Sequence, residues 1–222
     1  MSSTLTRIAG LVILVAVSLA LSADSFHRPW MHYFFQPLAT FLILAMPFSQ
    51  FLRFPSSFAL WISMGLFFSF FGDLFLLSPD RYFLYGLCAF LLAHISYLIA
   101  FTRGIRFPAL LSVWLLYLAA VATFLLWVIF PKLPVGFRLP IVVYMFFVVS
   151  MASQSMGRFL ILKNIPAALA AFGAIFFVLS DSLLAFDRFH SRLPAAAFLV
   201  LVPYYLAQWL IALSTFTEPT KH

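Results

Sequence analysis

A polytopic, all-α membrane protein is the fold class this sequence predicts, and three observations carry that expectation. Of 222 residues, 65% are hydrophobic and only 9% charged, whereas soluble domains run near a quarter charged. The apolar residues fall into eight runs, each close to the roughly 20 residues that a membrane-spanning helix requires. The short stretches between them hold most of the charge and much of the proline. The chain 1–222 therefore reads as a single transmembrane helical domain, with possible halves at about 1–107 and 108–222.

The first run, about 5–22, carries Arg7 ahead of it and small residues (Leu19-Ala20-Leu21-Ser22-Ala23) at its end, a pattern shared with signal peptides. Its length and the seven runs that follow favour a retained helix. The second run, 33–52, begins with Gln36-Pro37. The third, 57–77, ends in Phe70-Phe71-Gly72-Asp73-Leu74-Phe75, which sets a carboxylate inside hydrocarbon. The fourth, 82–102, holds His94, Ser96 and Tyr97. The fifth, 108–130, is apolar. The sixth, 137–157, holds Tyr144 and the polar string Ser150, Ser153, Gln154 and Ser155. The seventh, 165–186, contains Ser180-Asp181-Ser182, a second acid among apolar neighbours. The eighth, 194–216, holds Tyr204, Tyr205 and Gln208.

The net charge of +7 is scattered over loops and forms no stripe of the kind nucleic acid requires, so the bases read as lipid-facing and topology-setting. One side of an eight-span chain holds Arg7, Arg53, Arg103, Arg106, Arg158, Lys163 and Lys221; the other holds Arg28, Arg81, Lys132, Arg138, Arg188 and Arg192. A margin of one residue places both termini inside. The single cysteine, Cys88, excludes an internal disulfide and a thiolate metal cluster. There is no P-loop and no dinucleotide fingerprint. No cofactor is expected, and no metal, for want of a three-ligand cluster. The short loops point to a bacterial inner membrane.

The two buried acids dominate what remains. A charge in hydrocarbon costs several kcal/mol, so an intramembrane carboxylate is by default a functional-site hypothesis. Asp73 and Asp181 stand 108 residues apart, and Phe90–Leu98 aligns with Phe198–Leu206 at the same offset. These matches predict a 4+4 parallel repeat about an axis along the membrane normal. They also place both acids roughly 6–8 Å inside one boundary, counting residues to the ends of their runs. Gly72 and Ser180 precede them, small enough for close helix approach. His94 falls deeper, near the bilayer middle. With Tyr144, Tyr205 and Gln208 it is a candidate to line the same cavity, although a lone histidine in a membrane helix equally serves as a structural donor. Ser150 and Ser153 read as interhelical glue, Asp80 and Asp187 as loop or cap residues paired with neighbouring arginines, and Asp24 as a loop residue.

Phe71-Gly72-Asp73-Leu74-Phe75-Leu76-Leu77, Gly86-Leu87, Phe90–Phe101 with its His94-Ile95-Ser96-Tyr97, Pro140–Tyr144, Gly173–Ser182 and Tyr204-Tyr205-Leu206-Ala207-Gln208 together resemble the YhhN-like lysoplasmalogenase family. The similarity spans most of the chain, and the ordered combination of these motifs is more specific than any one of them. One departure is Gln36-Pro37, where the family often has Lys-Pro. The resemblance implies an integral membrane hydrolase that cleaves the vinyl ether bond of lysoplasmalogens, releasing a fatty aldehyde and glycerophosphoethanolamine or glycerophosphocholine. Its partners would be that lysophospholipid and the bilayer, with no nucleic acid.

Vinyl ethers are acid-labile: protonation of the alkene carbon gives an oxocarbenium ion, which water traps. Two carboxylates suit this chemistry as they suit glycoside hydrolysis. Burial and mutual repulsion keep one protonated as general acid, while the other stays ionised to stabilise the cation and orient water. Asp73 and Asp181 are the catalytic candidates, and spacing does not say which takes which role. His94, Tyr144, Tyr205 and Gln208 are candidates for hydrogen bonding to substrate, and Arg81 or Arg188 for the head-group phosphate. A repeated bundle with intramembrane acids also suits a proton-coupled transporter, which would move substrate across sealed vesicles and form no product.

Overall fold

The computed structural model describes residues 15, 17–19 and 29–216. Seven helices long and apolar enough to cross a membrane run through these residues. They are α1 (Pro29–Arg53), α2 (Ser57–Leu76), α3 (Pro79–Phe101), α4 (Leu111–Phe124), α5 (Val135–Leu162), α6 (Ile165–Phe189) and α7 (Ala196–Leu213). A π turn (Leu125–Ile129) and a 3-10 turn (Phe130–Lys132) extend α4 to the next loop. The span expected at 5–22 lies outside the described residues, apart from 15 and 17–19, which are helical.

Local chemistry sets the helix ends. Ser56 Oγ accepts the Ala59 N–H at 3.1 Å to cap α2, and Asn164 Oδ1 accepts the Ala167 N–H at 3.0 Å to cap α6. Proline opens α3 at Pro79 and sits in the first turn of α6 at Pro166, where its missing N–H costs nothing. Lys163 takes the left-handed conformation that ends α5. α1 begins at Pro29, earlier than the apolar run suggests, so Gln36-Pro37 sits inside the helix and not at its start.

Six of the helices close a ring. α1 packs on α2, α2 on α3, α3 on α5, α5 on α6, α6 on α7, and α7 back on α1, while α4 stands outside against α5. Glycine sets the closest approaches. A Cβ at Gly65 would lie 2.2 Å from the Tyr97 ring, and one at Gly173 would lie 2.9 Å from the Ala207 carbonyl oxygen. The ring's outside is apolar and its inside carries the polar groups. Phe34, Phe41, Phe67, Phe172 and Phe198 are exposed, while Thr40, Ser69, His94, Gln154 and Gln208 are buried. That inversion of the soluble pattern fits a multi-pass integral membrane protein, with the phenylalanine excess facing lipid.

The polar string of α5 has a structural task. Gln154 Oε1 accepts the Ala109 N–H at 2.8 Å, and its Nε2 donates to the carbonyls of Phe101 and Ile105, both at 3.2 Å. One side chain thus satisfies the loop that leaves α3. Ser150 accepts from Trp114 Nε1 at 3.3 Å and so ties α4 to the ring.

Candidate active site

Each ring helix sends polar side chains inward, and two hydrogen-bonded clusters result. The first surrounds Asp73 near the end of α2, which is 1% exposed. Its Oδ2 accepts from Thr40 Oγ1 of α1 and from Tyr204 OH of α7 at 2.8 Å, and its Oδ1 accepts from Gln36 Nε2 of α1 at 3.3 Å. Three donors converge on one carboxylate, which is how a buried acid avoids the cost of an unmet charge. Tyr205, the tyrosine singled out in the sequence, reaches the Gln36 backbone carbonyl at 3.3 Å instead, and Tyr204 is the one on the acid.

The second cluster surrounds Asp181 of α6. Tyr144 OH of α5 donates to Asp181 Oδ2 at 3.1 Å, and His94 Nε2 of α3 lies 3.2 Å from the same oxygen and 3.0 Å from the tyrosine hydroxyl. Nδ1, the other ring nitrogen, is buried with no hydrogen-bond partner among the described residues. His94 therefore does not lie at a separate, deeper level, as its position in the sequence suggested. α6 runs on to Phe189, so Asp181 sits eight residues from the helix end, about 12 Å at 1.5 Å per residue. α3 and α6 also run in opposite directions. Side chains lean toward the N-terminus of their helix, so His94 leans outward and Asp181 inward until they meet.

Behind both clusters, Tyr97 OH donates to Gln208 Oε1 at 2.7 Å and lies 3.5 Å from Ser69 Oγ. Gln208 is thus a brace between α3 and α7. Phe177 packs edge-on against His94 at 4.7 Å between ring centroids, and against Tyr204 at 5.6 Å. This single aromatic side chain holds one member of each cluster.

The two clusters share a cavity of about 160 Å³, lined by Gln36, Asp73, Tyr204, Ser180 and Asp181, and by Asp187 further along α6. A narrower apolar cleft adjoins it, lined by Asp181 and Tyr144 together with Phe83, Met145 and Phe189. Asp181 therefore stands where a polar chamber meets an apolar slot. Gly72 keeps the α2 wall thin: a Cβ there would lie 2.5 Å from the Phe90 ring. Ser180 Oγ donates to the Val200 carbonyl at 2.9 Å and pins α6 to α7 beside the cavity.

The arginine candidates lie elsewhere. Arg188 pairs with Asp80 at 2.9 Å across the α3–α6 boundary, and Arg81 stacks over Tyr82 at 5.1 Å; neither lines the cavity. Asp80 thus pairs with an arginine from the far half of the chain and not with its sequence neighbour. Asp187 is held by Arg192 at 3.2 Å and by the Leu193 N–H at 2.7 Å. Sequence reasoning passed over Thr40 and ranked Tyr204 behind Tyr205. Thr40 lies one helical turn after Gln36, a spacing that puts both on one face of α1.

A closed helical ring with two buried carboxylates opening on one cavity defines a membrane-embedded protein with an intramembrane acid site. Comparison with known proteins gives the family. The YhhN family model matches residues 31–215, and the chain belongs to that family. It is 34% identical to mouse lysoplasmalogenase TMEM86B over 166 residues, covering 74% of this chain and 68% of that protein. It is 32% identical to human lysoplasmalogenase TMEM86A over 167 residues, covering 72% of this chain and 68% of that protein. A lysoplasmalogenase homolog of Dictyostelium discoideum is 49% identical over 53 residues, 24% of this chain and 17% of that protein. No solved structure matches.

Proposed function

We propose that this protein is a lysoplasmalogenase, hydrolysing the vinyl ether of a lysoplasmalogen to a fatty aldehyde and a glycerophospho-alcohol. The observation that carries the proposal is the pair of carboxylates, Asp73 and Asp181, on one cavity, in a chain whose relatives bear that activity in their names.

The hydrogen bonds support different roles for the two acids. Asp73 accepts from three side-chain donors, an arrangement that suits the ionised form. Asp181 accepts from the Tyr144 hydroxyl, lies 3.2 Å from His94 Nε2 and adjoins the apolar cleft. Asp181 is accordingly the general acid and Asp73 the ionised partner. Asp181 delivers its proton to the alkene carbon, and the oxocarbenium ion forms beside the Asp73 carboxylate. Water adds to the cation and gives its proton to Asp73. The hemiacetal then collapses: its hydroxyl proton passes to Asp181, the carbon–oxygen bond to glycerol breaks, and the glycerol oxygen takes the proton from Asp73. Both acids return to their starting states, ready for a second turnover.

The substrate's shape fits this layout. The vinyl ether lies between head group and hydrocarbon, and Asp181 lies between polar cavity and apolar cleft. The alkenyl chain leaves past Phe83, Met145 and Phe189, and the glycerol backbone faces Ser180 and Tyr204. Hydrolysis in heavy water tests the chemistry. Carbon protonation puts one deuterium at C2 of the released aldehyde. Aldehyde without that deuterium would rule out acid attack on the alkene. No aldehyde from the folded protein with either an ethanolamine or a choline head group would reject the activity itself.

A further inference from the structure

The cavity does not end at the two catalytic candidates. On α6, Ser180, Leu184 and Asp187 form a stripe at helical spacing, and all three line it. Asp187 lies six residues beyond Asp181 toward the end of α6, about 9 Å along the axis. The facing wall there is Ala196 and Ala197 of α7, small residues that leave room at the mouth. Asp187 is 9% exposed. The Leu193 N–H fixes one of its oxygens and Arg192 Nη1 reaches the other. Arg192 itself is 77% exposed, so its guanidinium stands in solvent with donors to spare. The mouth of the cavity thus presents a fixed carboxylate and an exposed cation paired with it. Among the described residues no basic side chain lines the cavity, and its carboxyl groups are those of Asp73, Asp181 and Asp187.

Resting on the lysoplasmalogenase reading, we propose that Asp187 and Arg192 form a head-group reader for a zwitterion: Arg192 takes the phosphate and Asp187 the ammonium. In a lysophospholipid with its vinyl ether at Asp181, the phosphate lies a few bonds away and the ammonium a few bonds further. At roughly 1.5 Å per bond the phosphorus, about six bonds from the vinyl ether carbon, reaches about 9 Å, the helical rise from Asp181 to Asp187, and the ammonium, about four bonds further, folds back from the phosphate onto Asp187. Phosphate draws Arg192 outward from the ion pair, and the ammonium replaces it on Asp187, so no charge is left unpaired. A head group of net negative charge finds only Arg192 and is repelled by Asp187. Discrimination thus comes from a repulsive element as much as an attractive one. Arg192 is chosen because it pairs with Asp187 at the cavity mouth, whereas Arg188 pairs with Asp80 and Arg81 stacks over Tyr82.

The test compares two lysoplasmalogens of the same chain length, one with phosphoethanolamine and one with phosphoglycerol, in the same neutral micelles. Parent enzyme should favour the ethanolamine lipid in kcat/KM. Asp187→Asn should lower that preference by about tenfold or more, through a raised KM for the ethanolamine lipid. Arg192→Gln should raise KM for both lipids and keep the preference. Because each preference is a ratio within one preparation, partial misfolding cancels. A merely structural Asp187, stapling the loop after α6, would depress both lipids alike and leave the ratio unmoved; a ratio in Asp187→Asn within twofold of the parent's overturns the inference while leaving the hydrolase reading intact. A parent protein that releases aldehyde from neither lipid overturns both.

Discussion

Replacing Thr40 by valine isolates what hydrogen bonding does for Asp73. Thr40 is fully buried, donates to Asp73 Oδ2 and does not line the cavity, so it cannot touch substrate. Valine keeps the branched shape and removes only the donor. A hydrogen bond to a charged group is worth about 1.5–3 kcal/mol, and two other donors, Gln36 and Tyr204, remain on the carboxylate. If the ionised Asp73 stabilises the cation, losing a donor that favours the charged form lowers the fraction of competent enzyme, and each 1.36 kcal/mol is about tenfold in that fraction. Thr40→Val should therefore lower the turnover of lysoplasmenylethanolamine by about 10–100-fold. The assay is aldehyde release, with the thermal unfolding midpoint in detergent showing that the variant is folded. Turnover within twofold of the parent, in a variant that unfolds at the parent's temperature, would refute the role assigned to the ionised Asp73.

Other expectations follow from the same contacts. Tyr144→Phe keeps the ring against His94 but removes the hydroxyl that joins His94 to Asp181; aldehyde release should fall by about two- to tenfold, by the value of a hydrogen bond between neutral groups. Gly65→Ala puts a methyl into the Tyr97 ring, and overpacking of this kind costs about 1–3 kcal/mol. It should lower the unfolding midpoint measurably, and an unchanged midpoint would mean that α2 and α3 part without penalty. Gln154→Ala strips the Ala109 N–H and the carbonyls of Phe101 and Ile105 of their partner. At about 1–3 kcal/mol for each group left unsatisfied, this too should show as a lowered midpoint, with protease sensitivity gained at the 102–110 loop.

How much of this was legible in the sequence depended on the range of the physics involved. The spans were readable because hydrophobic thickness sets helix length, and seven of the eight runs correspond to helices within a few residues. Asp73 and Asp181 stood out because a carboxylate among phenylalanine and leucine is costly wherever it lies. Their partners were harder. Tyr204 and Tyr205 are adjacent, and only the angle at which α7 crosses α1 and α2 decides which one reaches Asp73. His94 looked too deep because the apolar run at 165–186 stops before the helix does. Polar Asp187, Arg188 and the turn at Phe189 extend α6, and hydropathy cannot see a helix that continues past its apolar stretch. Asp187 resembled an ordinary loop acid beside an arginine. Its place on the cavity follows from that same extension, and its partner is Arg192, five residues on, while Arg188 turns away to Asp80.

The central claim is that two carboxylates on one cavity carry out a hydrolysis. It is tested most directly by aldehyde release from lysoplasmenylethanolamine by the purified parent protein, Asp73→Asn and Asp181→Asn. Asparagine keeps the size and much of the hydrogen bonding but holds no transferable proton and no charge. The account predicts aldehyde from the parent and a loss of about 10²–10⁴-fold in each variant, both remaining folded in detergent. Near-parental turnover in both variants would contradict it.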